Sequence, residues 1–179
     1  MASSPPLLTP RLRLVPFTAA HLTPRYVAWL NDPEVVRYSE QRHHRHTLHS
    51  CRMYWQALQE TPHYFWAIET HQAEPGHIGN LTAYVDPVHA VADLGILLGA
   101  RQVWGRGYGA EAWMASCNYL LGPAGLRKIT AGTLAVHTAM LGVMRRAGMV
   151  EDGRRCRHML WDGAEVDVVH MALFRDARR

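Results

Sequence analysis

Leu94-Gly95-Ile96-Leu97-Leu98, followed by Gln102-Val103-Trp104-Gly105-Arg106-Gly107-Tyr108-Gly109-Ala110-Glu111-Ala112, is the stretch that decides the fold. An apolar run of strand length enters a loop with glycine at 105, 107 and 109. The loop opens a segment from about Tyr108 to Leu121 with Ala110, Trp113, Met114, Cys117, Leu120 and Leu121 at helical spacing. Glycine permits positive φ and lets a ligand come close to the backbone. Exposed N–H groups at a helix N-terminus favour an anion, typically a phosphate.

Three phosphate readings compete with a plain tight turn. The P-loop needs Gly-Lys-Ser/Thr, which is missing here. The dinucleotide fingerprint needs GxGxxG and an acidic residue roughly 20 positions on. This chain has GxGxG, and Arg127 and Lys128 stand at that distance, the wrong sign for a ribose hydroxyl. The third reading is a cradle for the pyrophosphate of coenzyme A.

Outward from the turn the chain alternates elements. Residues 11–16 read as a strand by polar–apolar alternation. Thr18 and Thr23-Pro24 are cap signals for a helix carrying Leu22, Tyr26, Trp29 and Leu30, which stops near Asn31-Asp32-Pro33. Thr47 caps a second helix with Leu48, Cys51, Tyr54, Trp55 and Leu58 on one face. Strands follow over 64–70, 77–85 and 91–98. Beyond the glycine-rich helix, which Gly122-Pro123 ends, come a strand at 127–133 and a helix at 138–147 closed by Gly148. Two last strands near 149–161 and 165–174 flank Asp162-Gly163. The order βααβββαβαββ predicts an α/β (α+β) domain over 9–176, with a central mixed sheet of about seven strands behind a flexible lead at 1–8.

Composition agrees with one globular domain. The chain has 179 residues, 48% hydrophobic and 19% charged, with 19 basic and 15 acidic residues for a net charge of +4. The longest apolar run, Leu94 to Ala100, falls far short of the roughly 18 residues of a membrane span. Cys51, Cys117 and Cys156 are widely spaced and form no CxxC, so a disulfide framework and a zinc ribbon are not expected. No secretory signal pattern is visible, and the expected compartment is the cytoplasm.

Gln-x-x-Gly-x-Gly at 102–107, after an apolar strand and before an amphipathic helix, resembles the signature of the GNAT superfamily of acetyl-CoA-dependent N-acetyltransferases. The branch it resembles includes ribosomal-protein N-terminal and amino-sugar acetyltransferases. Thr9-Pro10-Arg11-Leu12-Arg13-Leu14 is similar to that branch's opening strand. Trp29-Leu30-Asn31-Asp32-Pro33-Glu34-Val35 is similar to the end of its first helix. Ala139-Met140-Leu141 with Arg146-Ala147-Gly148-Met149 is similar to its last helix and the turn after it.

The resemblance implies a cofactor cleft where two parallel strands splay. Ile96, Leu97 and Leu98 are then expected to pair with the pantetheine arm. The N–H groups of Val103, Trp104, Gly105, Arg106, Gly107, Tyr108 and Gly109 are expected to hold the pyrophosphate, with Arg106 adding charge. An ammonium with a pKa near 10.4 must lose a proton before it attacks a carbonyl, so a base is needed. A strand N–H near Leu97–Leu98 is the expected donor to the oxyanion.

The chain departs from the family pattern at two places. His137 stands where an Asn usually contacts pantetheine; it is a cofactor contact or a proton carrier. Met144 stands where a Tyr usually serves as general acid, and is expected to pack on the coenzyme or the core. The base candidates are Asp93, at the start of the cofactor strand, and Glu40, in the segment that lines the acceptor site. Tyr38 and Asn80 are candidates to orient the acceptor.

The run His43-His44-Arg45-His46 with His49 invites a metal reading. No acidic or thiol ligand is interleaved, and Arg42 and Arg45 repel a cation, so no metal is expected. The segment reads as a solvated basic loop or as an anion-facing lip of the acceptor site. The expected partner is a small-molecule amine, an amino sugar or nucleotide-linked amino sugar, to which Tyr38, Arg42, His44, Tyr54 and Trp55 are suited. The alternatives are a protein N-terminus and a coenzyme-binding module without catalysis. Nucleic acid and membrane are not expected as partners, and a homodimer stays open.

Overall fold

The computed structural model describes residues 4–72, 74 and 76–175. The elements are β1 (Leu7–Leu8), β2 (Leu12–Pro16), α1 (Pro24–Asn31), α2 (Leu48–Gln59), β3 (Tyr64–Thr70), β4 (His77–Asp86), β5 (Val91–Leu98), α3 (Tyr108–Leu121), β6 (Lys128–Leu134), α4 (Thr138–Arg146), β7 (Val150–Trp161) and β8 (Ala164–Phe174). Eight strands form one sheet in the order β1-β2-β3-β4-β5-β6-β8-β7. Neighbours pair antiparallel except β5 and β6, which run parallel.

Local chemistry sets the helix starts where the sequence places them. Thr23 Oγ1 accepts the Tyr26 N–H at 3.2 Å, with Pro24 in the first turn of α1. Thr47 and Ser50 cap α2 reciprocally, each side chain accepting the other's N–H. Thr18 heads only a short 3₁₀ turn, Ala19–His21, rather than α1 itself.

The eighth strand corrects the expected lead. Leu7 pairs with Leu14 and Leu8 with Arg13, so this segment extends the sheet edge. Ser4 Oγ accepts the Phe65 N–H at 3.0 Å, and the Pro5 carbonyl accepts the Trp66 indole N–H at 2.8 Å. Residues 1–3 of the expected flexible lead lie outside the described residues.

The core sits between the sheet and α3. Trp66 and Trp113 are fully buried, and Ala112, Ser116, Cys117 and Leu120 on α3 are shut from water. Met114, at the rim of the α3 stripe, is 37% exposed rather than inward. In α2 only Cys51 of the expected apolar face is buried; Leu48 and Tyr54 are exposed. No helix among the described residues is long and apolar enough to cross a membrane.

One irregularity positions the site. β5 and β6 pair only from Val91↔Lys128 to Asp93↔Thr130. Beyond that point each strand keeps its other neighbour: β5 pairs with β4 up to Leu98, and β6 with β8 up to Leu134. The two strands therefore part company within the sheet.

Candidate active site

The parting strands open a cleft of about 1260 Å³. Backbone alternation sets what β5 offers to it. The Ala90 carbonyl accepts from Arg127 N–H and the Ala92 carbonyl from Thr130 Oγ1, both on the β6 side. Gly99 N–H points the other way, to the Ile78 carbonyl. Ile96 and Leu98 consequently turn their peptide groups toward the gap, beyond the last pair of β5 with β6. The Leu98 carbonyl is taken by the Trp104 indole N–H at 2.9 Å, which ties the strand end to the glycine turn.

That turn forms a cradle. Gly105 and Gly107 have φ of +73° and +80°, the left-handed region, and Gly107 caps α3. A Cβ on Gly105 would meet nothing within 4 Å. The N–H groups from Gly105 to Ala110 have no protein partner among the described residues, whereas Glu111 N–H closes the first helical bond on Gly107. This array at a helix N-terminus suits a phosphate. Val103 and Trp104 differ from expectation: their N–H groups are spent on Ala100 and Arg101 in a 3₁₀ turn, and Val103 is buried. Arg106 and Tyr108 are not among the residues that line the cleft. The Arg106 carbonyl accepts from Arg11 Nη1 at 2.9 Å, and the Tyr108 ring lies under the Arg11 guanidinium at 4.4 Å.

Ile96, Leu97, Leu98, Trp104, Gly105, Gly107, Gly109, His137 and Met144 line the cleft together, as do Tyr38, Glu40, Asn80 and Asp93. Burial pushes the His137 imidazole down to about 4, so it is neutral at pH 7; Thr133 Oγ1 lies 3.1 Å from its Nδ1. Met144 is fully buried. Asp93 Oδ1 accepts from Thr130 Oγ1 at 2.8 Å. Crowding by protein raises the Asp93 pKa, against the hydrogen bond from Thr130 and the charge of His170. Glu40 pairs with Arg42 at 3.2 Å and His43 at 3.9 Å.

Four buried side-chain atoms lack a partner among the described residues: His46 Nε2, Asn80 Oδ1, Trp113 Nε1 and His170 Nε2. All four residues line this cleft. Buried polar atoms are rarely left alone in a native fold, so orphans gathered around one cavity mark where bound water or a ligand completes the structure. Sequence reasoning missed Trp113 and His170. Trp113 read as core by helical spacing. His170 sits in an apolar strand with no local motif.

Sheet registry collects the other end of the site on one face. Asn80, Thr82 and Tyr84 of β4 stand beside Leu97, Gly95 and Asp93 of β5. Asp93 stands beside Thr130, and Gly132 beside His170. The Tyr54 hydroxyl meets the Tyr84 hydroxyl at 2.5 Å, and desolvation of that hydroxyl together with this hydrogen bond raises the Tyr54 pKa above the normal phenol value. The charged side chains lining the whole cleft are Glu34, Glu40, Asp93 and Arg146. The expected basic lip is thus corrected: Arg42 turns away to the Leu160 carbonyl and to Glu40, and carboxylates face the cavity.

An aromatic stack stands at this end. Tyr38 stacks on His137 at 4.1 Å and on Trp161 at 5.5 Å. The Trp161 indole N–H donates to the Arg37 carbonyl at 3.2 Å, so the tip of the β7–β8 hairpin is fastened to the segment after α1. Among the described residues no group of three or more His, Cys, Asp and Glu side chains is placed to hold a metal.

The Acetyltransferase (GNAT) domain family matches residues 11–150. The chain belongs to the GNAT acetyltransferase family. No curated protein matches it by sequence. Solved GNAT structures match over nearly the whole chain. A GNAT-family acetyltransferase from Bacillus anthracis is 16% identical, covers 96% of this chain and 99% of its own, and has a TM-score of 0.80. RimL, a ribosomal L7/L12 alpha-N-protein acetyltransferase solved with coenzyme A, is 16% identical over 96% of this chain and 99% of its own, with a TM-score of 0.83. Spermidine N-acetyltransferase from Vibrio cholerae, solved with CoA and spermine, is 16% identical over 94% and 98%, with a TM-score of 0.82. At these identities the likeness is one of fold. The GNAT fold and the splayed-strand cleft expected from the sequence are therefore present, with one strand more than expected.

Proposed function

We propose that this GNAT protein transfers the acetyl group of acetyl-CoA directly to the primary amine of a small molecule. One observation carries the reading: the array of unpartnered N–H groups at the glycine turn opens into the same cleft as Asn80, Asp93 and His137. Gly105, Gly107 and the N-terminus of α3 would receive the pyrophosphate. Ile96 and Leu98 would align the pantetheine arm, and the cleft face of Met144 would pack on it. Acetyl-CoA supplies the activated acyl group; the protein supplies position and proton traffic. Asp93 lines both the cleft and a solvent-facing pocket, where its carboxylate can hold the incoming ammonium and pass the released proton out. Neutral His137 is suited to hydrogen bonding rather than to carrying a proton at pH 7. A further base, Glu40, is already engaged with Arg42.

The small-molecule reading rests on the aromatic stack at the acceptor end. A peptide needs an open groove, and Tyr38, which lines the acceptor end, is held in place by the stack on Trp161 and the Trp161 bond to the Arg37 carbonyl. The carboxylates in the lining favour an amine without phosphate, so an unphosphorylated amino sugar or another small amine fits better than a nucleotide-linked one. The unpaired cysteines, Cys51, Cys117 and Cys156, suit a reducing cytoplasm.

Calorimetric titration with acetyl-CoA, with NADH as control, tests the first half. Binding of acetyl-CoA alone is expected. Its absence in a folded sample would remove the enzyme reading. A screen of amino sugars, polyamines and N-terminal peptides for acetylation then tests the acceptor; turnover of peptides alone would replace the small-molecule reading.

A further inference from the structure

His170 is the cleft-lining histidine that the family signature and the sequence motifs leave without a task. It stands on β8, paired with Gly132 of β6 on one side and Gly153 of β7 on the other. Two glycines as cross-strand neighbours leave an imidazole free to lean either way. It leans over β6: a Cβ on Gly132 would lie 3.3 Å from His170 Nδ1 and 3.4 Å from its Cε1, while a Cβ on Gly153 would meet nothing within 4 Å. That direction is toward the gap between β6 and β5. The ring's Nε2 is buried, takes no hydrogen bond among the described residues, and the residue lines the cleft.

Asp93 completes the arrangement. It stands on the same sheet face, two strands across with β6 between them and one residue pair along, with its carboxylate oriented by Thr130. The two groups interact electrostatically. Tyr84 stands beside Asp93 on β4, and Glu40 lines the cleft from the segment after α1. A protonated amine placed between an anionic carboxylate and an unpartnered imidazole nitrogen is held by the first and can hand a proton to the second.

We infer that His170 is a catalytic residue, its Nε2 taking a proton from the acceptor amine while Asp93 holds that amine in place. The inference rests on the acetyltransferase reading above. The balance is simple. One proton leaves the ammonium for Nε2 and reaches solvent past Asp93. The amine lone pair forms the C–N bond to the thioester carbon, and the C–S bond breaks. The second proton leaves the nitrogen and ends on the thiolate sulfur. Gly132 is the positioning residue, because a Cβ there would press on the ring at 3.3 Å from Nδ1 and force it to shift.

The test follows thiol release from acetyl-CoA with spermidine, with glucosamine and with water alone as acceptor, so that a rate is read even when neither amine is the natural one. H170A is expected to lower turnover at least tenfold, to leave the acetyl-CoA dissociation constant within twofold, and to recover at least threefold on addition of free imidazole. G132A is expected to lower turnover as well, again without a change in acetyl-CoA affinity. Turnover of H170A within twofold of wild type would overturn the inference, and so would a loss that imidazole leaves untouched. If H170A does not fold, G132A decides: wild-type turnover in that variant overturns the inference. Failure of the wild type to bind acetyl-CoA would instead overturn the transferase reading, and calorimetry separates the two.

Discussion

Glu111 Oε2 accepts from both Nε and Nη2 of Arg11 at 2.6 Å, joining the first turn of α3 to the start of β2. The other carboxylate oxygen accepts from Thr9 Oγ1 at 2.6 Å and from the Arg11 N–H at 2.9 Å. Arg11 also reaches the Arg106 carbonyl, so one guanidinium fixes both the turn and the helix that make the cradle. Acidic residues in a first helical turn are ordinary stabilisers. Here the carboxylate is in addition a tether between segments about a hundred positions apart. Replacement of Glu111 by Ala should weaken acetyl-CoA binding roughly tenfold, read by calorimetry. It should cost on the order of 1–2 kcal/mol of stability, less than a buried pair because Arg11 is 45% exposed.

Gly107 has little near it. A Cβ there would lie 3.5 Å from Arg11 Nη2, which is ordinary contact. Its constraint is the φ of +80°, which costs a side-chain-bearing residue about 1–2 kcal/mol. Gly107→Val should lower the melting temperature and abolish measurable acetyl-CoA binding, because the branched side chain also crowds the N–H array. Normal binding by a folded variant would discard the cradle.

Much of this was legible because it is local. The bounds of β3, β5 and α3 follow from alternation, helical period and glycine punctuation, and the caps Thr23 and Thr47 sit where their residue types place them. The cradle was legible because only glycine fits its φ values. What failed depends on distant partners. The lead joins the sheet because Ser4, Pro5 and Leu7 find β3 and β2, which no local pattern in 1–8 announces. The basic run at 42–46 reads as a solvated loop or an anion lip, and the hairpin tip, more than a hundred positions away, draws Arg42 aside from the lip. His170 acquires its place from Gly132 across a strand register.

Asp93 has one expected signature. Asp93→Asn keeps the shape and the hydrogen bond from Thr130 but removes the charge. Turnover should fall at least tenfold in a steady-state thiol-release assay while acetyl-CoA affinity holds. Unchanged turnover would remove Asp93 from the proton path.

Trp161 tests the aromatic stack. Trp161→Ala removes the stack on Tyr38 and the bond to the Arg37 carbonyl. Only the acceptor end should feel the loss. KM for the amine is expected to rise about five- to tenfold, with KM for acetyl-CoA within twofold. Equal rises in both constants would mean that the hairpin supports the whole cleft rather than one end.

Two buried histidines set the acid limit of the fold. His77, among Phe17, Tyr26 and Trp29, is held down to about 4 by burial and by the charge of His21, and His137 to about 4 by burial. The unfolded chain binds these protons near pH 6.5, so between about 6.5 and 4 the unfolded state holds more protons than the folded one. Stability therefore falls as pH falls through that window, by at most about 3.4 kcal/mol for each histidine. His77→Phe removes one of the two contributions and keeps an aromatic ring in the cluster. Urea denaturation at pH 7 and pH 5 should show a large loss of stability for the wild type and a clearly smaller one for the variant. Equal losses in both proteins would mean that His77 takes up no proton on unfolding, and the acid sensitivity would then belong to His137 and the carboxylates.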